Sequence, residues 1–391
     1  MTQSFDKFIN RQGTLSLKYD GLKQIFGRTD VQPMWVADMD FAVPDAVTQA
    51  LQARAEHPIY GYSLAPESLY DALIDWMHVK HNWHVEREWI VLTPGVVPSL
   101  SLVVTALTNQ DDGVIVQPPV YFPFLSVANN TGRRLIENPL VLTLDSLGSS
   151  TYAIDFEHFE ACAKQAKILL FCSPHNPVGR VWSKNELQKL LAIAKQHRLI
   201  ILSDEIHADL VYPDAKHHVL STLDIEQDAV ITAVAPSKTF NIPGLGLSAL
   251  IVPHASSRRA IQSHLTATGV SVTNPFSLVA FEAAYRHGHD WLNALLAYLH
   301  ETRDMVMAYA KKYLPKITII PAQGTYLLWL DCHQLGLSDE LLHQLFLEKA
   351  KLALSPGAIF GKGGHGFMRM NIGTTQENVL LALDKLKQAL S

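Results

Sequence analysis

Short apolar runs separated by amphipathic stretches set the rhythm of the first two thirds of the chain. The runs are Trp89–Leu92, Val114–Gln117, Arg134–Ile136, Ile168–Cys172, Leu199–Ser203, Val230–Val234 and Leu247–Val252. They are apolar at successive positions rather than alternate ones, the pattern of strands covered on both faces. Between them, Lys184–His197 places Leu187, Leu190, Leu191 and Ala194 at helical spacing, and Ser183 with Glu186 three residues on predicts a capping box. Strands and helices in alternation predict an α/β fold: a mostly parallel sheet of these seven runs, with helices on both faces. Ligands of such sheets sit at the carboxyl ends of the strands, so the residues just after the runs are the candidates for chemistry.

After Asn274 the rhythm changes. A long helical stretch over about 276–312 breaks near Gly288 and leads into strand-like Thr318–Ile320 and Tyr326–Leu330. A helix around Asp339–Ala350, a strand Phe367–Ile372 and a last helix follow. This predicts a smaller α+β domain made of residues 1–45 and 287–391, set against a large domain over 46–286.

Composition narrows the function classes. With 391 residues, 48% hydrophobic and 18% charged, the chain is ordinary for a globular protein of two domains. A net charge of −5 offers no basic footprint for nucleic acid or anionic lipid. No run approaches the roughly 20 apolar residues of a membrane span, and Met1–Thr14 lacks the apolar stretch of a signal peptide. Cys162, Cys172 and Cys332 are scattered and odd in number, which points to a reducing compartment, the cytoplasm.

The candidate chemistry centres on Lys238, which follows the Val230–Val234 run within Ala235-Pro236-Ser237-Lys238-Thr239-Phe240-Asn241. Alone it reads as a solvated loop lysine. Asp204, however, follows another buried run and is expected to face the same crevice. Pyridoxal phosphate (PLP) needs that pair: an amine to bond its aldehyde and a carboxylate to keep its pyridine nitrogen protonated. Gly95-Val96-Val97 opens an apolar helix whose free N–H groups suit a phosphate. Tyr121 is either a core tyrosine or a ring to stack on the cofactor, and Asn176 either a turn residue or a donor to a phenolic oxygen. Arg369, in an otherwise apolar run, is either a buried ion-pair partner or a fork for a substrate carboxylate. Two further patterns carry no chemistry. Gly361–Gly366 lacks the spacing of a phosphate loop and reads as a mobile loop beside the site. The histidine pairs lack metal-ligand spacing, so no metal is expected.

The series Gly95-Val96-Val97-Pro98, Tyr121, Pro174–Gly179, Ser203–His207, Ser237–Asn241 and Arg369-Met370-Asn371 resembles fold-type-I PLP enzymes over essentially the whole chain. Pro33–Phe41, Gly61-Tyr62, Asp204-Glu205-Ile206-His207 and Phe367–Asn371 are most similar to the MalY/PatB branch of cystathionine β-lyases. The resemblance implies Lys238 as the Schiff-base lysine and the acid–base group at Cα. It places Asp204 on the pyridine nitrogen, Asn176 on the phenolic oxygen and Tyr121 over the ring. Val96, Val97 and Ser237 hold the phosphate, and Arg369, with backbone near Ala37, holds the substrate carboxylate. It implies a homodimer in which Tyr62, or its neighbour Tyr60, reaches the partner's phosphate. His207 stands where aminotransferases of this fold carry a tyrosine, and Gly246 where they carry a phosphate-binding arginine. Both departures favour α,β-elimination on a sulfur-containing L-amino acid over transamination, the runner-up. A regulatory protein-binding role is the third reading.

Overall fold

The computed structural model describes residues 5–391; residues 1–4, the start of the expected small domain, lie outside the described residues. All seven apolar runs become strands of one sheet: β1 (Ile90–Thr93), β2 (Gly113–Val116), β3 (Arg134–Glu137), β4 (Ile168–Cys172), β5 (Ile200–Asp204), β6 (Val230–Val234) and β7 (Ser248–Ile251). Their order across the sheet is β1-β7-β6-β5-β4-β2-β3. Only β7 runs antiparallel, to both its neighbours; the remaining pairs are parallel. The expected ends shift by a residue or two: Trp89 closes a short turn before β1, and β5 continues through Asp204.

The two-faced burial has the expected cause. Leu169 and Phe171 of β4 enter one apolar cluster, together with Leu187, Leu190, Leu191 and Ala194. Ile168, Leu170 and Cys172 enter another, with Leu100, Val103 and Val104 of the helix α1 (Val96–Leu107). Alternate side chains of one strand therefore feed opposite layers. On the helix α2 (Lys184–Gln196) the capping box forms: Ser183 Oγ accepts from Glu186 N at 3.3 Å, and Glu186 Oε2 accepts from Ser183 N at 2.8 Å.

A second, antiparallel sheet has the order β8-β9-β11-β10, where β8 is Thr318–Ile320, β9 Leu327–Asp331, β10 Ser355–Pro356 and β11 Phe367–Asn371. The long helical stretch divides at Gly288 into Pro275–His287 and His289–Tyr313. A Cβ there would lie 2.1 Å from Phe240 Cε1, so only glycine fits against that ring. Two features were not read from the chain. A hairpin pairs Val141–Leu144 with Ser150–Ala153, and the helix at Asp339–Gln344 ends in a wide turn, Leu345–Lys349. No helix among the described residues is long and apolar enough to cross a membrane. The three cysteines are buried and unpaired.

The segment 34–41 runs between the two sheets and is stitched to both. Asn371 N donates to Met34 O at 2.9 Å, and its side chain donates to Val36 O and Asp38 O. From the other side, Asn241 Nδ2 donates to Met39 O and Phe41 O, both at 2.9 Å, and its Oδ1 accepts from Met39 N at 2.8 Å. Arg11 and Lys18 add ion pairs to Asp38 and Asp40. Ala37 is thereby fixed between the sheets. Asn241 sits at φ 57°, a left-handed conformation that asparagine tolerates better than most residues.

Candidate active site

A cavity of about 270 Å³ opens where β1, β4, β5 and β6 end. Parallel strands in register make it: Cys172 of β4 stands level with Asp204 of β5, and Asp204 with Ala233 of β6. Lys238, Asp204, Asn176, Tyr121, His207, Gly95, Val96, Val97, Ser237 and Ala37 all line it. Arg369 stands directly behind, bonded to Asn176. Tyr62 is not brought to this cavity. It is fully exposed, on a segment with Tyr60 beside Ser271, Thr273 and Asn274.

Lys238 projects from the single turn α3 (Pro236–Thr239), and its Nζ donates to Ala37 O at 2.6 Å. Burial pulls the amine down to about 8, opposed by Asp38 and Asp204. Asp204 lines the same space, and no ion pair joins it to Lys238 among the described residues. Burial pushes its carboxyl up to about 7, partly offset by Ile206 N, which donates to Oδ1 at 3.1 Å. A buried carboxylate with one hydrogen bond lacks the cationic donor that would hold it ionised, and a protonated pyridine nitrogen supplies one. His207, also buried, is driven down to about 3 by burial, then by Lys238 and Arg369. It is neutral at pH 7, and its Nδ1 has no partner among the described residues.

The α1 start fits a phosphate. Its N-cap, Gly95, has φ 151° and ψ 159°, and no side chain caps the first turn. The free N–H groups therefore face the cavity end that Val96, Val97 and Ser237 line. Gly246, at the position of the aminotransferases' phosphate-binding arginine, has φ 48°, and a Cβ there would lie 3.4 Å from Pro94 O. That approach is ordinary contact, so it is the left-handed φ, not crowding, that disfavours a side chain at this position.

Arg369 resolves one alternative left open by the sequence. Among the described residues it has no carboxylate partner. Nη1 donates to Asn176 Oδ1 at 3.0 Å, and Nη2 to Trp35 O at 2.8 Å and Ser355 Oγ at 3.2 Å; Nε has no partner. Burial pulls the guanidinium down to about 10. A buried cation without a counter-charge is costly, which favours a carboxylate brought by a ligand. Because Arg369 holds the Asn176 oxygen, the amide N–H₂ is the end left for the cavity.

Sequence reasoning missed Trp35 and Ser355 as supports of Arg369. It also missed Tyr326, whose hydroxyl donates to Ala37 O at 2.9 Å, and Asp38, whose charge bears on Lys238. Trp35 and Asp38 lie within the Pro33–Phe41 motif, whereas nothing local in the sequence marks Ser355 or Tyr326. The Gly361–Gly366 loop, expected to be mobile, is tied down: Gly366 N donates to Asp339 Oδ1 at 2.8 Å, and His365 bonds the same carboxylate. Asp224, Glu226 and Asp228 draw together, but around Lys195.

The model of the family "Aminotransferase class I and II" matches residues 33–386. The chain belongs to the class I and II aminotransferase family. Within this family it falls in the PatB/MalY branch. It is 42% identical over 391 residues to "Cystathionine beta-lyase PatB" of Bacillus subtilis (strain 168), covering 99% of this chain and 100% of the relative. "Protein MalY" of Escherichia coli (strain K12) is 31% identical over 373 residues, covering 94% of each. Among solved structures, cystalysin from Treponema denticola, which contains PLP, superposes with a TM-score of 0.94 at 34% identity, over 100% of this chain and 99% of that one. The fold-type-I architecture expected for the family is thus present from end to end.

Proposed function

We propose that this chain is a PLP-dependent carbon–sulfur lyase that eliminates the β-substituent of sulfur-containing L-amino acids such as cystathionine, giving a thiol, pyruvate and ammonia. Lys238 and Asp204 share a single cavity without pairing, and Arg369 beside it has no counter-charge among the described residues, which supports the cofactor and an amino-acid substrate; the 42% identity to a cystathionine beta-lyase carries the choice of elimination. The unpartnered His207 nitrogen and the uncapped α1 start fit the same cofactor.

PLP, when bound, supplies an electron sink for the charge left at Cα. Lys238 holds the cofactor and carries the proton to and from Cα, a task suited to an amine brought near neutral pH. Asp204 would keep the cofactor's ring nitrogen protonated and Asn176 would donate to its phenolic oxygen, while Tyr121 and His207, which line the same cavity, would hold its ring. Backbone N–H groups of Val96 and Val97, with Ser237, bind phosphate. Arg369 and Ala37 orient the substrate carboxylate, so that the Cα proton faces Lys238. The electron pair left at Cα forms the Cα=Cβ bond as the C–S bond breaks with its pair on sulfur; the thiolate takes up the proton removed from Cα, and one water hydrolyses the released 2-aminoacrylate to pyruvate and ammonia. Residues 46–286 form the large domain, and 1–45 with 287–391 the small one. The chain works as a cytoplasmic homodimer with Tyr62 serving the partner's site, which its exposure on one protomer supports.

Incubation with L-cystathionine, with and without a 2-oxo acid, tests the reaction. Thiol and pyruvate in equal amounts without any oxo acid are expected; turnover that needs the oxo acid means transamination instead. Lys238→Ala is expected to abolish both turnover and the lysine-linked visible absorbance.

A further inference from the structure

Outside the cavity, behind the turn that carries Lys238, lie two buried acid–imidazole pairs that the chemistry above does not use. Asp209 Oδ1 accepts from Trp76 Nε1 at 3.0 Å and from His81 Nε2 at 2.8 Å, while its Oδ2 accepts from Thr239 Oγ1 at 2.8 Å. Glu205 accepts from Ser203 Oγ at 2.9 Å, Leu220 N at 3.1 Å and His217 Nε2 at 2.7 Å. The two imidazoles meet edge to face, with centroids 5.8 Å apart. Tyr285 lines a small cavity together with His81, Glu205 and Asp209. Burial pushes Asp209 up, yet His81, Thr239 and Trp76 together hold it below the usual carboxylate range.

Such a group is expensive to bury and needs a reason to be there. Its third bond supplies one. Thr239 directly follows Lys238 in the one-turn helix α3, which Phe240 N closes on Pro236 O at 2.8 Å. Successive helical residues point about 100° apart, so a hydroxyl anchored on one side dictates where its neighbour projects on the other.

We propose that Asp209 is a positioning residue: held by His81 and Trp76, it fixes through Thr239 the rotation of the Pro236–Thr239 turn, and so the line along which Lys238 enters the cavity. The proposal rests on Lys238 being the PLP-bearing lysine. The charged groups that face Lys238 itself, Asp38, Asp204 and Arg369, are untouched by a change at Thr239. An altered titration of the lysine-linked chromophore therefore reports displacement of the lysine.

The test uses the holoenzyme with Thr239→Val, which keeps the shape and removes the hydroxyl, and Thr239→Ser, which keeps the hydroxyl. Visible absorbance against pH, kcat and KM for L-cystathionine, and Tm are measured. T239V is expected to move the absorbance midpoint by about half a pH unit or more and to lower kcat about tenfold, the scale of one hydrogen bond to a buried charge. KM should stay within about twofold, and T239S should track the wild type. Should T239V fail to fold, Asp209→Asn is expected to give the same two shifts. An unchanged midpoint and kcat in T239V, even with a lower Tm, would overturn the proposal and leave Asp209 a packing residue. Visible absorbance surviving Lys238→Ala would instead sink the underlying assignment of the lysine, and this proposal with it.

Discussion

Arg369 Nη1 donates to Asn176 Oδ1 across 3.0 Å, so the group we propose for the substrate's carboxylate also fixes which end of the amide faces the cavity. Arg369→Lys keeps a charge but loses the planar fork. We expect it to raise KM for L-cystathionine about 10- to 100-fold, as for a lost charged hydrogen bond of about 1.5–3 kcal/mol. Steady-state kinetics check this. An unchanged KM means that the carboxylate binds elsewhere.

Asp204 makes the cofactor-free chain sensitive to pH. Its carboxyl is raised to about 7 by burial, whereas an unfolded aspartate ionises near about 4. Between those values the unfolded state has lost a proton that the folded state keeps. The stability from this group is therefore full at low pH, falls as pH rises through about 4 to 7, and is level above that. Asp204→Asn removes the titration. In urea unfolding of the apoprotein, the Asn variant should gain on the wild type between pH 5 and pH 8, by a few kcal/mol at most. A gap that does not change with pH would contradict the shift.

Tyr62 offers a test of shared sites. Lys238→Ala and Tyr62→Ala, each weakly active or inactive alone, should recover about a quarter of wild-type sites when the two proteins are unfolded together and refolded. That fraction arises because half the dimers are mixed, and one site in each holds both intact residues. Complete lack of recovery would place Tyr62 outside the neighbour's site.

Gly95 occupies a φ,ψ region open almost only to glycine, at φ 151° and ψ 159°. Gly95→Ala should cost about 1–3 kcal/mol of local strain, read as roughly tenfold or more weaker PLP retention in dialysis against buffer. A change confined to Tm, with retention intact, would remove the phosphate role from this loop.

Much of this was legible in the chain. Runs such as Ile168–Cys172 are apolar throughout, because both faces of the strand are covered, and that pattern locates the sheet and hence its ligand end. Lys238, Asp204 and Asn176 follow three neighbouring strands, so strand order alone collects them. What escaped was what no local pattern encodes. Ser355 and Trp35 reach Arg369 from distant segments through a hydroxyl and a backbone carbonyl. Tyr326 bonds a carbonyl 289 positions away. The hairpin at Val141–Leu144 has exposed residues in every position of its first strand, so it lacks the alternation that would have announced it.

The segment 34–41 is held by Asn371 on one side and by Asn241 on the other. If the two sheets ever swing apart to admit an amino acid, Ala37 must stay behind with one of them. Either parting pulls the Ala37 carbonyl away from Lys238 or from Tyr326, which share it as an acceptor, so the amine could not keep its present hydrogen bond while the segment followed the smaller sheet.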